Sequence, residues 1–181
     1  MGKLSDFKAQ GNNVLEEICL PADGSSMQGV KALYTSENAG TGQQTSSTSI
    51  QKLTGSGISY IPPTGTNMVV YEYHVQIGWR SSHAITHFRF YMDGNECTRY
   101  RATFASQYHE DKVIYRIPIE IGPATNYPDA KVNTWPDARV LEVRGRRYGN
   151  SNYSDYNITQ YWDGGGTDVF SRPVLQIKAL K

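Results

Sequence analysis

The stretch MVVYEYHVQIGWR, residues 68–80, decides the fold class of this chain of 181 residues. Mostly polar residues alternate in it with six large apolar residues, which are Val69, Tyr71, Tyr73, Val75, Ile77 and Trp79. Strict alternation of this kind is typical of a β-strand with one buried face, because successive side chains of a strand point to opposite sides. The sequence therefore predicts a long strand with an apolar face on which the other strands pack.

A second alternating run, Ala84–Met92, follows after the polar residues 80–83. The short link between the two runs predicts an antiparallel hairpin with its turn in that link. In this register Tyr73 faces Phe90, and the apolar positions of both runs lie on the same side of the hairpin. A shift by one residue would move the apolar side chains of one run to the polar side, so the pattern specifies the register.

Shorter runs of strand-forming residues continue along the chain, separated by residues that favour turns. The turn signal Asp93-Gly94 is the clearest of these separators. From the two runs above and nine further candidate stretches we expect eight to ten strands to form. The further candidates are Val14–Leu20, Val30–Tyr34, Ser49–Leu53, Ile58–Ile61, Cys97–Phe104, Lys112–Ile121, Arg139–Tyr148, Tyr156–Trp162 and Val174–Leu180. Pro118 has no backbone N–H to donate, which predicts that its strand lies at a sheet edge or carries a bulge.

Eight to ten strands without a convincing amphipathic helix predict an all-β fold, specifically an antiparallel β-sandwich of the jelly-roll type. An immunoglobulin-like sandwich is the alternative, although the Cys, Trp, Cys pattern of that fold is missing. The domain is expected to extend over residues 14–181 as one unit, preceded by an N-terminal arm, residues 1–13. Residues 36–49 are rich in Ser, Thr, Gly and Gln, and this composition predicts a flexible loop within the domain.

The charges are balanced, with 18 basic and 17 acidic residues and a formal net charge of +1. Nucleic-acid-binding proteins usually carry a basic patch or stripe, so we expect no nucleic-acid partner. The sequence has no run of about 18 apolar residues that would span a membrane. Its first residues also lack the apolar core of a signal peptide, and we expect the chain to be made in a cytoplasm.

The sequence contains no recognisable catalytic motif and no set of residues that predicts a cofactor. Cys19 and Cys97 are far apart and indicate neither a disulfide framework nor a zinc site, so two reduced, partly buried thiols are expected. The hairpin register places His74 and His87 on one polar face beside Arg89. A metal site would need a third ligand there, and the cation opposes it, so no metal site is predicted.

A segment rich in tyrosine and arginine, residues 146–162, is the best candidate for a contact surface. Its aromatic and basic residues, interleaved with Asn, Ser, Gly and Asp, are Arg146, Arg147, Tyr148, Tyr153, Tyr156, Tyr161 and Trp162. Binding surfaces use this mixture, because the rings supply contact area and the short polar residues supply hydrogen bonds. These residues are predicted to contact a partner or a glycan. The alternative is a turn-rich crossover whose rings cap one end of the sandwich.

Several blocks of the sequence together resemble a group of small structural proteins of tailed bacteriophages, many of them marine. The blocks are Gly57–Gly65, Val69–Tyr73, His87–Phe90, Lys112–Tyr115, Arg139–Arg144 and Gln160–Gly164. The resemblance implies a non-enzymatic component of the virion, such as a capsid decoration protein or part of a fibre or appendage. It also implies a symmetric homo-oligomer, specifically a trimer, in contact with other virion proteins such as the major capsid protein.

Two alternatives from other classes of protein remain open at this point. A carbohydrate-binding module would use the exposed rings of residues 148–162 to recognise a host-surface glycan. A polysaccharide-active enzyme would need two carboxyl groups at a defined separation. The spacing of the acidic residues in the sequence selects no such pair.

The arm and the loop 36–49 bear on assembly. Ordering a residue costs roughly 1–2 kcal/mol of backbone entropy, and neither segment has enough apolar content to offset this cost by itself. We therefore expect a neighbouring subunit or a particle surface to hold them.

From the sequence we predict that the purified protein carries no transition metal and has no hydrolase activity. The reason is that the histidines and carboxylates assemble into no complete catalytic or metal-binding set. Elemental analysis after dialysis checks the first claim, and stoichiometric zinc would contradict it. Release of sugars from polysaccharide substrates would contradict the second.

Overall fold

The computed structural model describes residues 13–21, 26–27, 30–31, 44–79, 84–106, 111–150, 154–157 and 173–181. These residues form fourteen strand segments and two one-turn 3-10 helices, Thr98–Tyr100 and Tyr127–Asp129, and they contain no α-helix. The strands are β1 (Val14–Pro21), β2 (Ser26–Met27), β3 (Val30–Lys31), β4 (Gln51–Lys52), β5 (Ile58–Tyr60), β6 (Met68–Trp79), β7 (Ala84–Met92), β8 (Asn95–Glu96), β9 (Ala102–Ser106), β10 (Asp111–Ile121), β11 (Lys131–Val132), β12 (Arg139–Arg147), β13 (Ser154–Tyr156) and β14 (Val174–Leu180). The all-β prediction is confirmed. The segments outnumber the expected eight to ten because five of them are only two residues long.

The first sheet is organised around β6, the strand predicted from the opening stretch. Its order is β1-β14-β6-β10-β11, and β13 pairs with β6 beyond the end of β14. Tyr73 of β6 lies opposite Tyr115 of β10 on one side and opposite Leu175 of β14 on the other. These pairs are antiparallel, whereas β11 joins the edge of β10 in parallel over two residues.

The second sheet is organised around β7 and β12, which pair antiparallel along most of their length. On the side of β12 that faces away from β7, the short strands β4 and β5 pair with β12 one after the other. In the same way, β8 and β9 pair one after the other with the side of β7 that faces away from β12. Each outer strand of this sheet is therefore interrupted once, while the two central strands are continuous.

The predicted hairpin of residues 68–92 is wrong, because β6 and β7 belong to different sheets. Their apolar faces instead meet across the core, where the ring centroids of Tyr71 and Phe90 are 5.0 Å apart. Alternation identifies the residues that share a face, but a strand can satisfy it by pairing beside its neighbour or by crossing over it. As a consequence His74 and His87 lie on the outer faces of different sheets, and not together on one polar face.

The core between the sheets is a single apolar cluster whose large members come from both central strands. Tyr71 and Tyr73 are at most 1% exposed, yet each phenol has a hydrogen-bond acceptor. Tyr71 donates to the carbonyl of Ser56, and Tyr73 donates to the carbonyl of Thr54 at 2.7 Å. Burial of a tyrosine is favourable when its hydroxyl finds such a partner. These bonds also fix the irregular link between β4 and β5, where Gly55 has a positive φ of 73°.

Pro118 lies on an edge strand, as its sequence predicts. Among the described residues β10 pairs fully with β6, but on its other side it pairs with β11 only at Glu120 and Ile121. The carbonyl of Pro118 accepts a hydrogen bond from Tyr100 at 3.4 Å. The missing N–H of the proline therefore costs the sheet no ladder hydrogen bond.

The turn at Asp93-Gly94 between β7 and β8 is also confirmed. Both residues have positive φ, 51° and 79°, which is the pattern of a type I′ hairpin turn. The carboxylate of Asp93 accepts a hydrogen bond from the backbone N–H of Val140 at 2.9 Å and pairs with Arg139. The same turn thus fixes the beginning of β12.

The arm, residues 1–13, lies outside the described residues except for Asn13, whose carbonyl accepts a hydrogen bond from Lys181 at 2.8 Å. Of the predicted loop 36–49, residues 44–49 are described, and they connect the two sheets. Gln44 exchanges two backbone hydrogen bonds with Tyr156, and Ser47 accepts one from Arg147. This part of the predicted loop is therefore held by specific bonds.

Both cysteines are free thiols, but their surroundings differ. Cys97 is buried, and burial raises the pKa of its thiol to about 12. Cys19 on β1 is exposed, and not partly buried as the sequence suggested. Among the described residues, no helix has the length and apolar character needed to cross a membrane.

Replacing Phe90 with alanine is predicted to lower the free energy of unfolding by about 3–5 kcal/mol, because the ring is fully buried between the sheets. Denaturant melts measure this loss. The matched control is Ile114→Ala on β10, where the side chain is 57% exposed and the expected change is within about 0.5 kcal/mol. A loss below about 1 kcal/mol for Phe90→Ala would contradict the packing of β7 on β6.

Candidate binding surface

The outer face of the second sheet carries the polar residues of its central strand. Phe88 and Phe90 of β7 point into the core and are fully buried. Because side chains alternate along a strand, the intervening residues point outward. These outward residues are Ile85, His87, Arg89 and Tyr91.

The pairing register brings basic residues from neighbouring strands beside this row. His87 lies opposite Arg146 of β12 on one side and opposite Thr103 of β9 on the other. Arg89 lies opposite Arg144 of β12, and Arg101 precedes β9 on the other side. Directly opposed residues on one face are close neighbours, so the strands assemble a basic surface from residues far apart in sequence.

Two carboxylates at one end of this surface hold part of the positive charge. Glu96 of β8 pairs with Arg89 at 3.3 Å and with Arg101 at 2.5 Å. The hydrogen bond from Arg101 lowers the pKa of Glu96, although partial burial opposes the change. Glu142 is 2% exposed and pairs with Arg144 and with Lys52. The arginines at this end of the surface are therefore paired with carboxylates, which offset their positive charge.

Next to these carboxylates the surface has a shallow depression of about 330 Å³, which we call the basic depression. Its lining residues are Ile85, Thr86, His87, Arg89, Arg101, Thr103, Arg146 and Tyr148. Tyr148 is 74% exposed at the rim, and its backbone N–H is bonded to Ile85 at 3.0 Å. Arg146 is exposed, and no carboxylate among the described residues is within ion-pair distance of it. With three arginines against Glu96, the basic depression carries an excess of positive charge.

His87 lies at the centre of the basic depression. Its Nδ1 is 3.1 Å from the hydroxyl of Thr103. Burial lowers the pKa of His87, and the guanidinium groups of Arg89, Arg146 and Arg101 lower it further, while Glu96 opposes them. The imidazole is therefore neutral at pH 7 and serves as a hydrogen-bonding group among permanent cations.

The structure brings together two of the residues that the sequence selected, Arg146 and Tyr148. Arg147 has the opposite parity, lies opposite Thr86, and is half-buried. Tyr153, Tyr161 and Trp162 lie outside the described residues. Two of the seven predicted contact residues therefore line the basic depression at the end of β12, and their contact with a partner or glycan stays a prediction.

Tyr156 is a core residue, which corrects its assignment as a surface contact. It is 1% exposed, and its hydroxyl is 2.7 Å from that of Thr86. Its ring occupies space above Gly145, where an added Cβ would lie 3.0 Å from the phenol oxygen. It also packs on Phe88 with ring centroids 5.9 Å apart. The ring therefore closes one end of the core. This is the position predicted by the alternative interpretation of residues 146–162, a crossover whose rings cap one end of the sandwich.

The residues of the basic depression that sequence reasoning missed are His87, Arg89, Arg101 and Thr103. The alternation that places His87 and Arg89 on one face of β7 was visible in the sequence. Their meeting with Arg146 depends on the pairing of β7 with β12 and β9, which alternation does not determine.

Other parts of the described surface offer less chemistry. A depression of about 490 Å³ between β9 and β10 is lined mainly by apolar residues such as Phe104 and Val113. Another, of about 400 Å³, lies between residues 61–66 and 133–136 and contains no charged side chain. Among the described residues, no three His, Cys, Asp or Glu side chains are close enough to bind a metal ion.

Comparison with protein-family models finds no match for this chain, and comparison with curated proteins finds no significant relative. The function must therefore be inferred from the residues described above.

Replacing Tyr156 with phenylalanine is predicted to destabilise the fold by about 1–2 kcal/mol, because the buried hydroxyl of Thr86 loses a hydrogen-bond partner. Tyr148→Phe is the matched control and should change stability by less than about 0.5 kcal/mol, since that ring is exposed. Thermal or denaturant unfolding measures both. Equal effects of the two substitutions would contradict the division into one core tyrosine and one surface tyrosine.

Proposed function

We propose that this protein is a non-enzymatic structural component of a phage virion, either a capsid decoration protein or part of a fibre or appendage. Two lines of reasoning support the proposal. One is the order of the strands in the two sheets, and the other is the resemblance of several sequence blocks to structural proteins of tailed phages.

The strand order supports a jelly roll. If β4 with β5, β8 with β9, and β13 with β14 each count as one interrupted strand, the long strands number eight, with β2, β3 and β11 as additions. In order along the chain, the first sheet then contains the first, eighth, third and sixth strands. The second contains the second, seventh, fourth and fifth. This interleaving is the order expected of a jelly roll, an architecture of viral capsid proteins and lectin domains, and it supports that proposal.

A fold alone does not determine function, because one architecture carries many activities. The jelly roll is compatible with a particle protein and with a glycan-binding module. The sequence resemblance favours the particle protein.

We also propose that the protein assembles as a homo-oligomer, specifically a trimer, and contacts other virion proteins such as the major capsid protein. The edge strand β1 supports a contact near the arm. Val14 and Leu15 are 46% and 38% exposed, so two adjacent apolar side chains face solvent where the arm joins the domain. Among the described residues β1 pairs with β14 alone, and exposed apolar residues next to such an edge suit a neighbouring subunit or a particle surface.

Carbohydrate binding is the second candidate function, and one observation favours it. The basic depression combines an exposed aromatic ring, Tyr148, with hydroxyl, imidazole and guanidinium groups. Binding surfaces for polar ligands use such a combination of contact area and directed hydrogen bonds.

Immunogold labelling of intact particles with an antibody against this protein tests the main proposal. Labelling of the capsid or the tail is expected, and its position distinguishes decoration from an appendage. Absence of label on particles that infected cells release, while the cell extract contains the protein, would contradict a virion component.

Deleting residues 1–12 is predicted to leave a folded domain that no longer attaches to its particle. Asn13 is kept in this variant because it bonds to Lys181 in the described fold. Circular dichroism and thermal unfolding check the fold, and co-sedimentation with particles measures attachment. Unchanged occupancy would show that the arm is not the anchor. A full-length protein that sediments as a monomer at micromolar concentration would contradict the oligomer.

A further inference from the structure

We infer that the basic depression binds an acidic saccharide. An oxyanion of the sugar is held by Arg146 together with Arg89 and Arg101, and a sugar ring lies against Tyr148. The inference rests on the carbohydrate-binding candidate alone and is independent of a location in the virion.

The pairing of β12 with β7 places two guanidinium groups close together on the outer face of the second sheet. Arg146 and Arg89 are diagonal neighbours on the paired strands β12 and β7, with His87 and Arg144 completing the square. Diagonal neighbours in a sheet are about 7–8 Å apart, which is within reach of long side chains. Two guanidinium groups at this separation can therefore approach one oxyanion from different sides.

The arginines of the basic depression have more hydrogen-bond donors than Glu96 can occupy. A guanidinium has five N–H donors in a planar fork that fits carboxylate, sulfate and phosphate groups. Arg89 donates to Glu96 through Nη1, which leaves its Nη2 without a hydrogen-bond partner among the described residues. Arg146 is exposed and has no ion pair within the described part of the chain. Donors for a second anion thus remain after Glu96 is satisfied.

The neutral groups of the basic depression favour a saccharide as the class of ligand. Thr103, His87 and Tyr148 add neutral hydrogen-bonding groups and an exposed ring beside the cations, and hydroxyl-rich sugars use such groups. A nucleic acid would need a basic stripe that follows successive phosphates. Here the basic region ends after two rows, where Glu96 and Glu142 face outward. A compact acidic sugar fits this small region better than a nucleic-acid backbone.

The neutral imidazole provides a local reporter. The charged groups that face His87 are Arg89 on its own strand, Arg146 of β12, and Arg101 and Glu96 on the other side. A bound oxyanion would offset the guanidinium groups and stabilise the protonated imidazole. Occupation of the basic depression is therefore expected to raise the pKa of His87.

The experiment measures binding of four probes to the full-length protein by isothermal titration calorimetry. The probes are oligogalacturonate, which carries carboxylates, dextran sulfate, neutral dextran and a single-stranded DNA oligonucleotide. Binding of oligogalacturonate or of dextran sulfate, without binding of neutral dextran, is expected. Whichever of the two binds identifies the oxyanion as carboxylate or sulfate.

Substitutions then locate the site. Arg146→Gln should weaken binding about tenfold or more, because a charge-assisted hydrogen bond is lost. Tyr148→Ala should weaken it about threefold or more through loss of the ring contact. Arg99→Gln removes the same charge from a side chain that is 74% exposed and paired with Asp129. This control should bind within about twofold of the unaltered protein, since Arg99 does not line the basic depression and its charge is already paired with Asp129.

A histidine titration by NMR completes the test, with the pKa of His87 expected to rise at saturation. The inference is overturned if neither acidic saccharide binds, or if neutral dextran binds as tightly as the acidic ones. It is also overturned if the oligonucleotide binds as tightly as the saccharides, or if the pKa of His87 is unchanged at saturation. Failure of particle labelling would leave saccharide binding by the purified protein intact, so the two proposals fail separately.

Discussion

The structure depends on the contact between the apolar faces of β6 and β7. Tyr71 and Phe90 meet there across the core, and the buried phenols of Tyr71 and Tyr73 are bonded to carbonyls of the β4–β5 link. Burial raises the pKa of both phenols, so both stay protonated as hydrogen-bond donors. A core built from tyrosine therefore joins the sheets by apolar packing and by directed bonds at the same time. Loss of the phenol hydrogen bonds would also leave the irregular β4–β5 link without these contacts to the core.

This contact also determines what the outer surface can be. Once Phe88 and Phe90 face inward, the alternation of the strand forces His87 and Arg89 outward. The pairing with β12 then places Arg146 beside His87. The basic depression is thus a consequence of the core register. A one-residue slip of β7 would bury the cations and expose the rings, which no core of this kind could tolerate.

The sequence alone was sufficient for the fold class and for the character of most long strands. Alternation in residues 68–80 and 84–92, the turn at Asp93-Gly94 and the edge position of Pro118 all have local physical causes. The partner of each strand has no such local cause, because a crossover and a hairpin bury the same side chains. The predicted hairpin failed for this reason.

For the candidate site, too, the sequence predicted features with a local cause and missed those that depend on strand pairing. Arg146 and Tyr148 stood out as a basic and an aromatic residue near the end of a strand, whereas their neighbours from β7 and β9 depend on long-range pairing. Tyr156 was misassigned because composition does not reveal burial. Its ring fills the space that Gly145 leaves open, and only the packing of β12 against β13 and β7 makes that space.

The distribution of charge pairs gives the final reason to single out the basic depression. On the outer face of the first sheet Glu72 is 5% exposed and is held by Arg116 at 2.7 Å and His74 at 3.2 Å. These hydrogen bonds lower the pKa of Glu72 although its burial acts in the opposite direction. On the second sheet Glu142 pairs with Arg144 and Lys52. Glu96 pairs with Arg89 and Arg101.

Buried carboxylates of this kind need such partners, because an unpaired charge in a poorly solvated position is costly. The cations that flank them therefore have a structural role. Arg146 has no corresponding carboxylate among the described residues, and it is the strand neighbour of a histidine that is itself surrounded by cations. Three arginines line this depression near a single carboxylate, that of Glu96, in a chain whose 18 basic and 17 acidic residues nearly balance. A local excess that the fold does not require for its own pairs is the physical reason to expect an anionic ligand there.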